Sequence, residues 1–584
     1  MAESSSLLNC RTGFRFREFE SRPHRKKRVV RVTTLFFVSL YQTEPMKHYL
    51  QTLEGTIRNN WDLAAVADYG GESFSYGELA TNVEAIWLFF EKVGVKKGDK
   101  IAICARNSAR WAMSFWAVNT YEAVVVPLLA EFHPDSIINL VNHSESVLLF
   151  TDSDIWSKLD PHLMPALKAA INVGDLSVLW SKEEATTEAW EQRGKFLKEK
   201  YPNGFKPENV KYPSDNFSEL AIINYTSGTS GDPKGVMLTY GAMSDIDEFS
   251  NEHFPNTPGQ TMVSMLPLAH MYGLAIEFLH PNVDGVTVYF LGKAPSPTTL
   301  LAAMKEVKPY MVITVPLVME KVYSGSIKPA LDKLKLLLAI PIVKNLIYRK
   351  VRNKLMEAFG GNVGCFIMGG APLKPEVEKC LKKIRLPFTV GYGMTEACPL
   401  LAYVWWTKFV PGSCGVPVHE LRIDSDDPQH IPGEIQARGA NLTIGYYKNP
   451  EANALAFTDD GWFRTGDLGI IDKNNNVFIR GRIKSMILTA SGQNIYPEEI
   501  EAVLSCNQFV AESVVVERGG KLIALVYPEI PEDTDPKEIE NLPKDIADIA
   551  NESLPKYSQI AKVEIVETPF EKTPKMSIKR YLYK

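Results

Sequence analysis

Residues 225–235 read Tyr-Thr-Ser-Gly-Thr-Ser-Gly-Asp-Pro-Lys-Gly. Three glycines, four Ser/Thr hydroxyls and one lysine fall within eleven residues. Glycines let backbone amides turn toward an anion, hydroxyls donate to its oxygens, and a lysine adds a point charge. The chemistry this composition suits is phosphate binding. A Walker A loop needs Gly-Lys followed by Ser or Thr. Here Pro233 precedes Lys234 and Gly235 follows it, so the loop belongs to another kind of phosphate site.

Such a loop needs a rigid support. Leu220 to Tyr225 is a short, mostly apolar run that reads as a buried strand. Similar β-rich runs recur: "KIAICA" (100–105), "AVVVPL" (123–128), "SVLLFT", "TVYFL", "MVITVP", "GCFIMGG" and "FTVGYG". Amphipathic stretches with helical spacing, such as Tyr76 to Val93 and Ala109 to Tyr121, lie between them. Strands alternating with helices predict an α/β fold with largely parallel sheets, whose ligands sit beyond the carboxyl ends of the strands. After about Gly412, short β pieces dominate, with a hairpin expected at Asn474–Asn476. Past Ile483 a small α+β unit follows: a strand (486–489), a helix from Pro497, two strands about Gly519–Gly520, a helix over 537–553 and a last strand (563–566). Pro497, with Glu498 and Glu499 behind it, suits a helix start.

The bulk composition excludes several classes. The 584 residues suffice for more than one domain. With 45% apolar and 23% charged residues the chain is ordinary for a globular protein, and a net charge of −5 gives no reason to expect nucleic acid. Seven cysteines are scattered without a CxxC pair, which fits a reducing cytosol rather than a zinc site or a disulfide framework. No apolar run approaches the roughly 20 residues of a transmembrane helix. Residues 1–45 hold nine Arg/Lys and four Glu, with the cluster Arg25-Lys26-Lys27-Arg28. They read as a basic leader outside the native fold, which then opens at Met46.

Six motifs occur in order: "YTSGTSGDPKG", "GGAPL" (369–373), "GYGMTEA" (391–397), "GWFRTGD" (461–467), "GRIKSMI" (481–487) and "SGQNIYPEEIE" (491–501). Together they resemble the adenylate-forming superfamily of acyl- and aryl-CoA synthetases, peptide-synthetase adenylation domains and luciferases. The resemblance implies a large N-terminal domain (46–483) of mixed and parallel sheets packed with helices, carrying a small β subdomain. A small, mobile α+β C-terminal domain (484–584) follows. It also implies a two-step reaction. A carboxylate attacks the α-phosphate of ATP to give an acyl-adenylate and pyrophosphate, and a thiol such as that of coenzyme A then displaces AMP.

On this resemblance Thr226, Ser227, Gly228, Thr229, Ser230, Gly231 and Lys234 would cover the β- and γ-phosphates. Thr395 and Glu396 would sit at the α-phosphate, with Glu396 as a Mg²⁺ ligand, since a carboxylate beside phosphate oxygens suits a hard dication. Gly369, Gly370 and Ala371, with Tyr392 and Gly393, would line the adenine slot. Asp467 would accept the ribose hydroxyls, and Arg482 would add a ribose or phosphate contact. His270, in "LPLAHMYG", falls near the expected acyl carboxylate. Lys484 falls at the hinge between domains, and Ser491, Gly492 and Gln493 at the CoA channel. The tail departs from the pattern. The family usually closes with Gly-Lys-Ile-x-Arg, and aligning Ile578 and Arg580 places Ser577 at the lysine position. Losing such a contact to developing charge commonly costs about 2.7–4 kcal/mol. Substitution by Lys575 or Lys579, slow adenylation, and a slipped alignment all stay open.

"VPLVMEKVY" (315–323) and the long helical insert from Ile327 to Phe359 resemble the long-chain fatty acyl-CoA synthetases. The insert, apolar with interspersed basic residues, suits either an apolar acyl tunnel or a membrane surface. The leading expectation is an AMP-forming fatty acid:CoA ligase for medium to long chains, using Mg²⁺, ATP and CoA. It would be cytoplasmic, with peripheral contact at the inner face of a membrane and a homodimer both open. The alternatives are the same chemistry with an acyl carrier protein or an aryl acid, and an acyl- or nucleotide-binding homologue with impaired turnover.

Overall fold

The computed structural model describes residues 46–226, 233–292, 296–488, 494–507, 509–530, 536–572 and 578–583. Three sheets carry the large domain. The widest has seven strands in the order Val178–Ser181, Ala169–Asn172, Leu148–Thr151, Lys100–Cys104, Val124–Pro127, Leu220–Thr226 and Lys234–Thr239. Its five inner strands run parallel, and each edge strand is antiparallel to its neighbour. Ile101, Ala102 and Ile103 have no exposed surface. Helices cover both faces of such a sheet, so its strands read as unbroken apolar runs rather than as alternation.

A second sheet orders Thr261–Ser264, Thr287–Phe290, Ala64–Asp68 and Ser73–Ser75. A third, fully parallel, holds Met311–Thr314, Cys365–Met368 and Phe388–Val390. The helices between them start on local signals. Ser75 and Glu78 form a reciprocal capping box at the start of Tyr76–Lys92. Ser108 caps Ala109–Thr120, and Thr239 caps Tyr240–His253.

The β subdomain is an antiparallel four-stranded sheet of Glu420–Asp424, Gly433–Arg438, Phe463–Ile471 and Val477–Arg482. The expected hairpin turn lies between the last two, where Asn475 takes a left-handed conformation. The C-terminal unit pairs Val510–Arg518 with Lys521–Pro528 and adds Lys562–Ile565 parallel to the latter. Helices Pro497–Leu504 and Pro536–Ser553 accompany this sheet. Their side chains Ile500, Leu504, Leu542 and Ile546 share one apolar core with it.

The insert differs from a continuous helix. Lys328–Asp332 is followed by a short 3-10 turn, Leu337–Ala339, and a separate helix, Pro341–Ala358. The break is local: Pro341 pulls Ile340 out of the helical region and opens the next helix at its first position.

Candidate active site

The strand Leu220–Thr226 ends at Thr226, whose partner on the returning strand is Lys234. The loop residues Ser227, Gly228, Thr229, Ser230 and Gly231 lie outside the described residues, as do Ser491, Gly492, Gln493 and Ser577. Lys234 opens the returning strand Lys234–Thr239. Its Nζ lies 4.9 Å from the centre of the Tyr446 ring. The Tyr446 hydroxyl donates to Glu396 Oε1 at 3.1 Å. Burial and the neighbouring carboxylate hold that phenol well above its ordinary pKa, so it remains a donor.

Tyr446 is carried by a segment that runs along the loop's return strand. Met237 N donates to Gly445 O at 2.9 Å, and Tyr447 N donates to Gly235 O at 2.8 Å. Thr443 N donates to Glu396 O at 2.7 Å. This closes a ring of contacts between the hairpin Leu220–Thr239 and the 3-10 turn Thr395–Ala397. Both Thr395 and Glu396 are buried.

Upstream of that turn, Tyr392 and Gly393 pair with the strand Leu400–Tyr403. A Cβ on Gly393 would lie 1.9 Å from the carbonyl oxygen of Pro399, so only glycine fits there. The Tyr392 hydroxyl donates to Asp467 Oδ2 at 2.7 Å. Arg482 Nε lies 3.0 Å from Asp467 Oδ1. Asp467 and Arg482 face each other across the subdomain hairpin, which explains how residues 15 apart come to share one ion pair. Asp467 is 4% exposed. Burial raises its pKa, against the opposing pull of Arg482 and of the Tyr392 hydrogen bond. The arrangement is a buried carboxylate held by one phenol and one largely exposed guanidinium.

Gly369, Gly370 and Ala371 follow the strand Cys365–Met368 at its carboxyl end. Gly369 is backed by Tyr272, and a Cβ there would stand 3.2 Å from the ring. The Tyr272 hydroxyl donates to Thr314 O at 3.3 Å and Ile367 O at 3.2 Å. His270 lies two residues away, half-buried, at the turn that opens the following helix. Asn224, in the strand before the loop, donates to Ala269 O at 2.9 Å. The His270 segment is thus tied to both the phosphate-loop strand and the Gly369 strand.

Lys484 lies in the turn Ile483–Ser485, directly after the strand that carries Arg482. Arg480 and Glu499 approach to 3.7 Å and link that strand to the helix Pro497–Leu504. In the tail, Arg580 Nη1 donates to Glu501 Oε1 of the same helix at 2.7 Å. Lys579 Nζ lies 3.3 Å from Glu571.

The sequence reading missed two residues. Tyr446 lies 50 positions from the carboxylate it serves, and no spacing announces it. Glu277 is fully buried, and its Oε2 accepts from Ser264 Oγ (3.0 Å), Met265 N (3.1 Å) and Leu266 N (2.9 Å). It clamps the segment leading to His270. The signal available was a lone Glu inside the apolar run "GLAIEFL".

Comparison with known proteins bears on the family and the fold. The family model of AMP-binding enzymes matches residues 53–447, and that of the AMP-binding enzyme C-terminal domain matches 484–583. Long chain acyl-CoA synthetase 1 of Arabidopsis thaliana is 30% identical over 504 residues, 78% of this chain and 74% of that protein. Long-chain-fatty-acid--CoA ligase FadD15 of Mycobacterium bovis is 29% identical over 474 residues, 75% and 74% of the two chains. The long-chain-fatty-acid--[acyl-carrier-protein] ligase AEE15, chloroplastic, of A. thaliana is 25% identical over 579 residues, 84% and 78%. Among solved structures, the o-succinylbenzoate coenzyme A synthetase of Bacillus subtilis in complex with ATP and magnesium ion superposes with a TM-score of 0.70. It is 22% identical and covers 91% of this chain and 98% of that one, so it shares the fold.

Proposed function

The chain belongs to the AMP-binding enzyme family, and on that premise we propose that it is an AMP-forming fatty acid:CoA ligase for medium- to long-chain acids. The observation that carries the reading is the pair of buried carboxylates, Glu396 and Asp467, each held by a tyrosine hydroxyl at 3.1 and 2.7 Å. The long-chain ligases among the relatives support the substrate class.

In the first step a carboxylate oxygen of the fatty acid attacks the α-phosphorus of ATP. The new O–P bond forms as the bond to pyrophosphate breaks. Charge moves onto the departing phosphates, and preorganised donors lower the barrier there. Lys234, held against the Tyr446 ring, and the loop Thr226–Gly231 supply those donors. Asp467 accepts the ribose hydroxyls, with Arg482 beside it. Gly369, Gly370, Ala371, Tyr392 and Gly393 form the slot for the base. Thr395 donates near the α-phosphate, and His270 orients the acyl carboxylate. In the second step the CoA thiol attacks the acyl carbonyl and AMP leaves, with the small domain turning at Lys484 and the thiol arriving past Ser491, Gly492 and Gln493.

Among the described residues no cluster of three His, Cys, Asp or Glu side chains is gathered to hold a metal. Mg²⁺ on a nucleotide needs only one or two protein carboxylates beside the substrate's own phosphates. Glu396, buried and adjacent to Lys234 through Tyr446, fits that requirement. When bound there, the ion would neutralise charge on the phosphate oxygens.

A carrier-protein acceptor is the second reading, favoured by the 25%-identical acyl-carrier-protein ligase. Acid-dependent pyrophosphate release tests the first step, and the product formed with CoA or with acyl carrier protein separates the acceptors. We read the protein as cytoplasmic with peripheral membrane contact. No helix of the described residues is long and apolar enough to cross a membrane. The six cysteines described are free thiols, as suits a reducing compartment.

A further inference from the structure

We infer that the tip of the insert is a docking surface for an anionic lipid bilayer. Leu336 is 90% exposed, Ile342 76% and Leu346 61%, with Leu337 and Ile340 also exposed between them. Large apolar side chains standing free together mark an interaction site, whereas scattered ones need no explanation. They follow one another through the 3-10 turn Leu337–Ala339 and into the first turns of the helix Pro341–Ala358. Pro341 makes this cluster a tip, because it breaks the chain into a turn there rather than continuing a buried helix.

The charge around the tip selects the partner. From Lys333 to Lys354 the sequence contains no Asp or Glu. On the helix, Ile342 and Leu346 begin a stripe that Arg349, Lys350 and Lys354 continue at helical spacing, all of them exposed. Lys333 and Lys335 flank the other side of the tip and are also exposed. Among the described residues none of these five basic side chains is ion-paired. An apolar tip ringed by unpaired basic side chains matches a bilayer with anionic headgroups. The leucines and isoleucines enter the acyl boundary, and the ammonium and guanidinium groups stay at phosphate level. A protein partner with an acidic groove would need a depth and shape that the tip's flexible lysines do not specify.

This names the surface for the membrane contact proposed above and rests on that reading. Its chemical benefit follows from the substrate class, since a long-chain acid partitions into bilayers and would be met where it resides.

The test is co-sedimentation of the full chain with phosphatidylcholine vesicles, with and without phosphatidylglycerol. The parent protein should pellet with the anionic vesicles and be released by salt. The triple variant L336D/I342D/L346D should lose that binding. R349E/K350E/K354E should lose roughly a hundredfold in partitioning, at about one kcal/mol per basic residue near the surface. Both should keep the parent's melting temperature, which reads folding independently of any enzymatic activity. No pelleting of the parent with either vesicle would overturn membrane contact altogether. Pelleting that survives in both variants would overturn only this surface. Loss of a dimer in the variants, with no vesicle binding by the parent, would make the tip an interface between two copies and overturn the lipid assignment.

Discussion

The hydroxyl of Tyr446 donates to Glu396 at 3.1 Å while the same ring carries the ammonium of Lys234 on its face, 4.9 Å from the centroid. One side chain thereby connects Lys234 to the carboxylate proposed for Mg²⁺. Tyr446→Phe keeps the ring and removes the donor. A hydrogen bond to a charged group is worth about 1.5–3 kcal/mol, so the melting temperature should fall by a corresponding amount, and kcat for pyrophosphate release should fall roughly 10- to 100-fold in the variant that remains folded. Tyr446→Ala should lose the ring contact to Lys234 as well and fall further. Equal activity of the Phe variant and the parent would remove Tyr446 from the machinery.

Asp467 carries the second prediction. Burial raises its pKa, and Arg482 and the Tyr392 hydroxyl pull it back. Accepting ribose hydroxyls requires the ionised form, which is lost as pH falls. Tyr392→Phe removes one of the groups that favour ionisation. The acidic limb of the kcat/KM profile for ATP should therefore move to higher pH, with KM for ATP rising about tenfold at neutral pH. Arg482 is 61% exposed, so Arg482→Ala should cost under about 1 kcal/mol of stability while shifting the same limb in the same direction. An unmoved limb in both variants would contradict the ribose role of Asp467.

Glu277 makes the pH dependence of stability testable. Full burial pushes its carboxyl up to about 8, although three hydrogen bonds to Oε2 oppose the shift. Among the described residues no partner meets Oε1. A carboxyl whose folded pKa lies above its unfolded value keeps its proton in the native state while the unfolded chain ionises. Stability then falls as pH rises from the ordinary glutamate range to about 8 and levels off above it. Glu277→Gln keeps the acceptor for Met265 and Leu266 and removes the titration. Its stability, read from the melting temperature, should gain on the parent's between pH 5 and pH 8 by up to about 4 kcal/mol. A constant difference across that range would show that Glu277 does not titrate this way.

Two glycines separate space from conformation. At Gly393 a methyl would meet the Pro399 carbonyl at 1.9 Å, and backbone must move. Gly393→Ala should lower the melting temperature by an amount equivalent to about 1–3 kcal/mol and abolish pyrophosphate release. At Gly369 the obstacle is the Tyr272 ring at 3.2 Å, which can yield by a few tenths of an ångström. Gly369→Ala should fold normally and raise KM for ATP severalfold. Matching effects of the two variants on stability would contradict this distinction.

Much of the fold was readable because its signals are local. The run Leu220–Tyr225, the amphipathic stretch Tyr76–Val93 and Pro497 each announce an element within a few residues. The strand–helix alternation then implies the parallel sheets. The candidate site residues are named only by the ordered motifs, since Asp467 after Thr-Gly has the same local appearance as a turn residue. What the sequence left hidden is nonlocal. Tyr446 reaches Glu396 only because its segment lies along the return strand of the phosphate loop. Pro341 divides the helical insert, and the exposure of Leu336 and Ile342 follows from that division. Helical periodicity assigns apolar side chains to a covered face, and nothing in it shows that the covering surface is absent.

The central claim is that these groups activate a fatty acid with ATP and pass it to CoA. The most direct measurement is acid-dependent pyrophosphate release from Mg·ATP across short-, medium- and long-chain and aryl acids, with and without CoA, and acyl-CoA read by mass spectrometry. The account predicts release that depends on the acid, peaks on a medium or long chain, and yields the matching acyl-CoA. That result would also show Ser577 to be tolerated at the tail's lysine position. No release with any acid, from protein that still binds ATP, would contradict it.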